Sequence, residues 1–358
     1  MLRQLATLAL ISAGVSISLS QIRVHPRLLL DQIVFMIPVG SAIVPGPGAI
    51  FEIAVMNLDG SGFRQLTSDG TFKFLPHFSP DGTKIVYTKY SVGQYSVPNA
   101  VMDLALYDLA TGSETMITHD GADVQGTWSP TGQRLAYLNV GTPTAIWTID
   151  PDGSNPQKIA SSSETVDDMQ WGDIAWSRDD WILFSVAQHV NGCFKVRTDK
   201  IRPDGSARTQ VSDGGPNCTP PGAEQSGDAD PGWSADSKTI YSSRGFPVPP
   251  ADGPGTERKL YAFSSDAWYS GKVEMDLSLP SEPSCIEGVP KGSPDGQQVL
   301  VFRVCVDTPT PKPGIYLTDT AGSYRTFITQ GFGADWAPLA RERRLPRSEG
   351  LQTPLRFR

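Results

Sequence analysis

The chain has few histidines and lacks the short motifs that mark common catalytic sites. Its four histidines show no His-x-x-x-His spacing, which argues against a three-histidine metal site. No Gly-x-Ser-x-Gly pentapeptide occurs among the 358 residues, so the nucleophile elbow of α/β-hydrolases is missing. The calcium-loop spacing Asp-x-Asp-x-Asp-Gly is nowhere complete. The absence of these motifs favours a binding function over a catalytic one.

Cysteine is scarce as well, and no two cysteines are close enough for a zinc or redox motif. The four are Cys193, Cys218, Cys285 and Cys305. An even number suits an exported protein, and pairing of nearest neighbours predicts the disulfides Cys193–Cys218 and Cys285–Cys305. In a cytosolic protein the same residues would instead be reduced side chains of the core.

The N-terminus carries little charge. A single arginine precedes the uncharged run Leu5–Leu19, which is shorter than the roughly 20 residues that cross a bilayer as a helix. The small residues Ser18 and Ser20 suit signal-peptide cleavage. We therefore predict a signal peptide over 1–20, or an uncleaved anchor, and then a short lead-in over 21–31. The expected location is periplasmic or secreted, with membrane contact only through that N-terminal segment.

Positive charge is concentrated at the C-terminal end. The formal net charge is −8, but the last twenty residues hold six arginines against two glutamates, so the rest of the chain carries −12. A body this acidic repels a phosphate backbone, and we expect no nucleic-acid binding. Residues 339–358 are predicted to form a basic, disordered tail.

Glycine and proline are abundant, with 35 and 30 residues, which disfavours long helices and favours turns between short strands. A Ser-Pro-Asp-Gly-like turn recurs six times, at intervals of 44 to 59 residues. Its first residue, here called the anchor, is Ser79, Ser129, Ser177, Ser234, Ser293 and Ala337. A hairpin glycine alternates with this turn, at Gly60, Gly112, Gly153, Gly205, Gly271 and Gly322. Periods of this length are typical of four-stranded propeller blades.

The two ends of the repeat region complement each other. Strand Ile33–Met36 matches the second strand of a repeat but no turn precedes it, whereas Gly333–Trp336 matches a first strand with no blade of its own. We therefore predict an all-β fold over 32–338. It is a six-bladed β-propeller of four-stranded antiparallel blades, closed by the C-terminal strand completing the N-terminal blade.

Aromatic residues stand directly before most anchors, at Phe78, Trp128, Trp176, Trp233 and Trp336. A fixed place in each repeat predicts packing between neighbouring blades rather than a sugar platform. Gly292 takes this place in the sixth blade, which predicts a less filled space between blades six and one.

The repeats over about residues 32–338 resemble those of the TolB-type, WD-repeat-like β-propeller family. Two segments show the resemblance clearly. They are His77-Phe78-Ser79-Pro80-Asp81-Gly82-Thr83-Lys84-Ile85-Val86-Tyr87 and Asn57-Leu58-Asp59-Gly60-Ser61. The resemblance implies a periplasmic propeller that docks a lipoprotein of the cell envelope. Similar propellers also precede the catalytic domain of prolyl-oligopeptidase-like peptidases, so a propeller remnant of such an enzyme is a further interpretation.

Carboxylates precede the aromatic position by one to five residues, where each chain segment enters an inner strand. They are Asp123, Asp173, Asp228, Asp230 and Asp335, with Asp167 and Asp168 nearby. We predict that several of them converge on one mouth of the central channel. Such a cluster suits a hard cation such as Ca²⁺, or a basic side chain of a partner. Alternatively, each aspartate accepts a backbone N–H in its own turn.

Two functions follow from these features. The first is an exported, monomeric, non-catalytic scaffold that needs no cofactor and binds another protein. The alternative is a carbohydrate lyase or hydrolase that uses the acidic mouth, with or without Ca²⁺. It would need two carboxylates roughly 5 to 9 Å apart and exposed aromatics such as Trp268 or Tyr269.

Overall fold

A computed structural model describes most of the repeat region. The described residues are 31–41, 44–46, 48–92, 99–162, 167–169, 173–190, 193–214, 226–247, 256–266, 274–279, 285–305 and 312–339. All regular elements within these ranges are β-strands. None of the described residues forms a helix that is long and apolar enough to span a bilayer. The all-β prediction is confirmed.

Four sheets contain four antiparallel strands each. The N-terminal sheet has the order β25 (Phe332–Trp336), β1 (Gln32–Val39), β2 (Ile50–Asn57), β3 (Arg64–Gln65). The second sheet is β4 (Lys73–Phe78), β5 (Lys84–Val92), β6 (Val101–Asp108), β7 (Glu114–Met116). The third sheet is β8 (Asp123–Trp128), β9 (Leu135–Asn139), β10 (Ala145–Ile149), β11 (Gln157–Ser161). The last sheet is β21 (Cys285–Gly292), β22 (Gln298–Cys305), β23 (Gly314–Asp319), β24 (Thr326–Thr329).

A fifth sheet, the large sheet, has nine strands. Its first half contains β12 (Asp167–Met169), β13 (Ala175–Trp176), β14 (Ile182–Val190), β15 (Cys193–Ile201) and β16 (Thr209–Gln210). Its second half contains β17 (Ser226–Trp233), β18 (Thr239–Pro247), β19 (Thr256–Ser264) and β20 (Glu274–Asp276).

The two halves of the large sheet are joined by parallel pairing of β15 with β17. Gly227 makes this contact possible, because a Cβ atom there would lie 2.0 Å from the carbonyl oxygen of Val196. The prediction of six separate blades is therefore wrong. The structure has four separate four-stranded blades, and the fourth and fifth predicted blades share one sheet.

The closing strand lies where the sequence predicts it. Antiparallel β25 pairs with β1, with Ile33 opposite Trp336 and Val34 opposite Asp335. Beyond the strand, the N–H of Ala337 donates to the carbonyl of Gln32 at 2.8 Å. The start and the end of the repeat region thus form one sheet, and the prediction of closure is confirmed.

The anchor serine stabilises the turn that recurs along the chain. Ser79 Oγ donates to Asp81 at 2.6 Å and accepts the N–H of Lys84 at 2.9 Å. Gly82 has φ +71°, a backbone conformation that a Cβ disfavours. The same serine-to-aspartate bond occurs at Ser177, Ser234 and Ser293.

Three tryptophans connect neighbouring repeats through their indole N–H groups. Trp128 donates to the carbonyl of His77 at 3.3 Å, and Trp336 donates to that of Lys291 at 2.9 Å. Trp233 donates to the carbonyl of Ala175 at 3.2 Å, across the two halves of the large sheet. The prediction that these side chains pack between neighbouring sheets is confirmed for Trp128 and Trp336, whereas Trp233 bridges the two halves of one sheet.

Gly292 lies close to the large sheet. A Cβ atom there would lie 2.6 Å from the carbonyl oxygen of Trp233 and 3.2 Å from the Tyr241 ring. Gly292 therefore faces the large sheet, which contains the fifth predicted blade, and the space on that side is filled. The less filled space between blades six and one remains a prediction.

The disulfide Cys285–Cys305 joins cross-strand partners of β21 and β22, as predicted. Cys218 and the side chain of Cys193 lie outside the described residues, so the second pair remains a prediction.

Candidate functional site: a funnel lined by all six repeats

The six turns surround a cavity of about 660 Å³, here called the funnel. The residue after each anchor lines it, and these six form a collar around its opening: Pro80, Pro130, Arg178, Ala235, Pro294 and Pro338. Five of the six are apolar and half-buried, and Arg178 is exposed. Phe78, Trp128, Trp176, Trp233 and Trp336 also line the wall. The funnel therefore combines an apolar collar with an aromatic wall.

Exposed carboxylates stand outside the collar. The second residue after the anchor is Asp81, Asp179, Asp236 and Asp295 in four of the turns. Partial burial raises the pKa of Asp81, but bonds from Ser79 and Thr83 outweigh it and the pKa is lowered. The bond from Ser234 lowers the pKa of Asp236. This rim is therefore negatively charged at neutral pH.

The floor of the funnel is formed by the residues two positions before each anchor. In ring order from the last sheet they are Lys291, Asp335, His77, Thr127, Ala175 and Gly232. The first three can carry charge and are neighbours, whereas the other three are small and uncharged. The floor is thus charged on one side and uncharged on the other.

A network of buried charges lies at and below the floor, and Asp173 is its centre. Asp173 Oδ1 lies 3.3 Å from Nε2 of His77, its other oxygen forms an ion pair with Lys291, and its N–H donates to Asp230 at 3.3 Å. Asp335 lies 3.4 Å from Nδ1 of His77. The network therefore joins the second sheet, both halves of the large sheet, the last sheet and the closing strand.

The pKa values follow from this arrangement. Burial and Lys291 lower the pKa of His77, but Asp173 and Asp335 outweigh them, so that the pKa of His77 is raised. Burial raises the pKa of Asp173, but Lys291 and His77 outweigh it and the pKa is lowered. Burial, assisted by the charge of Asp173, raises the pKa of Asp230.

The structure brings Asp173, Asp230 and Asp335 together, but not the other two predicted aspartates. Asp228 forms a two-pronged ion pair with Arg244 of its own sheet, at 2.7 and 2.9 Å. Asp123 accepts a bond from its cross-strand partner Asn139 at 2.8 Å. Both lie at the opposite end of their strands from the funnel. They do not share its opening because they stand five residues before the tryptophan, whereas Asp335 stands one before.

Asp123 belongs to a separate group of carboxylates. Its oxygens lie within 4.8 Å of those of Asp103 and Asp120, a spacing that could hold a cation. Asn139 donates to both Asp120 and Asp123, at 3.1 and 2.8 Å. Burial, together with Asp120, raises the pKa of Asp123 to about 7. The side chains of Asp167 and Asp168, and both Trp268 and Tyr269, lie outside the described residues.

Comparison with known proteins is consistent with this geometry. No family model matches the chain. A TolB homolog of Chlorobium luteolum is 31% identical over 111 residues, covering 31% of this chain and 24% of that protein. The Tol-Pal system protein TolB of Anaeromyxobacter dehalogenans is 27% identical over 122 residues, covering 34% and 26%. A crystal structure of TolB from Acinetobacter baumannii superposes with a TM-score of 0.60 at 16% identity, covering 87% of this chain and 68% of that one.

Over these segments the chain is similar to TolB proteins, and its β-propeller fold is similar to the fold of TolB. The matched segments span about a quarter of the length of these curated relatives. The structural likeness, at this level of identity, concerns the fold.

Two residues of the floor were missed at the sequence level: His77 and Lys291. Both stand two positions before an anchor, which is also the position of Asp335. Comparing this one position across the repeats for all charged residue types, rather than searching for aspartates alone, would have placed all three in one ring. The repeat spacing therefore contained the signal for the floor.

Proposed function

We propose that the protein is an exported, non-catalytic propeller that binds a segment of a partner protein in the funnel. The observation that carries this proposal is the lining of the funnel by the same turn of all six repeats. Its apolar collar and aromatic wall suit a protein segment, because apolar and aromatic contacts dominate the centre of protein interfaces. Relatives named for the Tol-Pal system support a role in the cell envelope.

The ring itself is part of this proposal. Each repeat supplies one collar residue, including Arg178 and Ala235 from the two halves of the large sheet. We therefore count the large sheet as two blades in function, which gives a six-part ring around the funnel.

Two features support export to an oxidising compartment, the periplasm or the exterior. The disulfide Cys285–Cys305 is typical of such compartments. The N-terminal segment also has the pattern of a secretory signal.

The carbohydrate-active alternative has weaker support in the funnel. Asp173 is 1% exposed and pairs with two basic side chains, so it is not available to a substrate. Asp335 is 20% exposed and lines the funnel, but no second carboxylate of the floor is open beside it within the described residues. A pair of accessible carboxylates is what glycoside hydrolysis ordinarily uses.

The test is photo-cross-linking in the native host with the full-length chain. A photoreactive amino acid replaces Pro130 in the collar, and in a matched control it replaces Lys158, which is exposed on β11. We expect Pro130 to give an adduct with a defined protein, identified by mass spectrometry and then purified for a direct binding measurement. Adducts at neither Pro130 nor other collar positions, from a folded and exported protein, would contradict the proposal.

A further inference from the structure

We infer that the partner segment enters the funnel with a basic side chain, an arginine or lysine, whose cationic group binds Asp335 on the floor. This inference rests on the proposed function, because it names the chemistry of the partner at the same site. It is carried by the exposure of Asp335, by the charge around the rim and by the aromatic wall.

Asp335 offers an acceptor to the funnel. Its Oδ2 accepts the N–H of Phe78 at 3.1 Å and lies 3.4 Å from Nδ1 of His77. Within the described residues its Oδ1 has no donor, although the side chain is 20% exposed and lines the funnel. A carboxylate oxygen that faces a cavity is matched best by a cationic donor.

The two cations of the floor are less exposed to the funnel than Asp335. The ammonium of Lys291 is paired with Asp173, and its side chain is only 10% exposed. His77 lies between Asp173 and Asp335, and its own side chain is 6% exposed. Lys291 and His77 face two carboxylates, Asp173 and Asp335, so the floor has no excess negative charge when His77 is protonated. Asp335 is distinguished from the other three by its exposure to the funnel.

The rim directs a cation towards the floor. From each anchor to the fourth residue after it, the described turns carry five aspartates, Asp81, Asp179, Asp180, Asp236 and Asp295, against two basic residues, Arg178 and Lys238. Of these seven, Asp81 and Arg178 line the funnel itself. A cavity with low-dielectric walls and an excess of one sign concentrates the opposite charge. The rim therefore favours a basic segment and disfavours an acidic one.

The wall suits the same side chain. Trp128, Trp176 and Trp233 line the funnel between rim and floor. Aromatic rings attract cations over their faces, and arginine also stacks on them. An arginine that passes this wall can make favourable contacts along its length before it reaches Asp335.

The experiment uses three capped pentapeptides that differ only in a central arginine, alanine or glutamate within alanine flanks. Binding to the purified full-length protein is followed by tryptophan fluorescence and by NMR line broadening. We expect the arginine peptide to bind at least about fivefold more tightly than the alanine peptide, and the glutamate peptide to bind more weakly than either. Added salt should reduce this difference.

Three variants test the assignment. Asp335→Asn keeps the acceptor for Phe78 but removes the charge, and it should reduce the preference for arginine by roughly threefold or more. Asp81→Asn tests the rim and serves as a second variant if Asp335→Asn folds poorly. Asp59→Asn, at an exposed hairpin turn outside the funnel, is the matched control and should leave binding unchanged.

The outcomes separate this inference from the proposed function. Tighter binding of the glutamate peptide, or an arginine preference that survives both funnel variants, would overturn the basic-segment inference. A partner cross-linked at Pro130 would still support the funnel as a docking site. Conversely, without any cross-linked partner the proposed function fails even if the arginine peptide binds at Asp335.

Discussion

The two ends of the inner strands hold carboxylates in different ways. At the end far from the funnel, the partner lies in the same sheet: Asp228 pairs with Arg244, and Glu287 lies 3.2 Å from Arg303. At the funnel end, Asp173 and Asp335 contact residues of other sheets. The difference shows that a residue's offset in the repeat, not its type alone, decides whether it stabilises one sheet or joins several.

The third sheet differs from the others at the far end. The position that holds Arg244 in the large sheet and Arg303 in the last sheet holds Asn139 in the third. A neutral amide replaces a cation, so no cation in this pair offsets the burial of Asp123 and the neighbouring Asp120, which raise its pKa to about 7. Asp123 and Asp228 thus stand at the same offset but have different cross-strand partners, Asn139 and Arg244.

The largest expected loss of stability comes from removing the carboxylate of Asp173, at the centre of the charge network. Asp173→Ala leaves the buried His77 and Lys291 without their shared carboxylate, and we expect a loss of about 3–5 kcal/mol of unfolding free energy. The matched variant Asp228→Ala should cost less, because Arg244 still bonds Glu274 at 2.6 and 3.0 Å. Urea unfolding measures both. Equal losses would contradict the distinction between the two ends.

Removing an indole hydrogen bond between two sheets should lower the unfolding free energy by a smaller amount. Trp336→Phe removes the bond to the carbonyl of Lys291, and we expect a loss of about 1–3 kcal/mol. Trp176→Phe is the control, because that indole donates to Asp180 of its own turn at 2.9 Å. Thermal and urea unfolding should show the larger loss for Trp336→Phe. A larger loss for Trp176→Phe would count against indole bonds between sheets.

The third sheet predicts a pH effect on stability. The pKa of Asp123 is about 7 in the folded state against 3.8 as its ordinary value, so the folded state binds the extra proton between these limits. Wild-type stability should therefore fall as the pH rises from about 4 to 7. Asp123→Asn should flatten this fall and exceed wild-type stability by about 1 kcal/mol at pH 8. Unfolding curves at several pH values measure this, and an unchanged slope would contradict it.

The smallest expected effect is the contribution of His77 to the pH dependence of stability. Its pKa is raised above 6.5 in the folded state, so its contribution is present below that pH and is lost as the pH rises through the folded-state pKa. His77→Gln should remove the decline above about pH 6.5 without changing the slope at lower pH. Unfolding at pH 6, 7 and 8 compares the two proteins. A wild-type curve that rises over this window would show that His77 is not stabilised by Asp173 and Asp335.

Sequence reasoning predicted the closure because an unmatched strand at Ile33 and an unmatched strand at Trp336 complete each other. It missed the fused large sheet because the pairing depends on a close approach at Gly227, which no repeat pattern marks. It grouped Asp123 and Asp228 with Asp335 because residue type does not tell whether a partner lies in the same sheet or in another. His77 and Lys291 were missed since neither alone suggests a site.

The most direct measurement is a double-mutant cycle between Asp173 and Lys291, which belong to the large sheet and the last sheet. The unfolding free energies of Asp173→Asn, Lys291→Met and the double variant are compared with that of the wild type at pH 7. If the floor joins the sheets, the coupling free energy should exceed about 1.5 kcal/mol. Effects that add within about 0.5 kcal/mol would contradict a funnel floor held together by charges from different sheets.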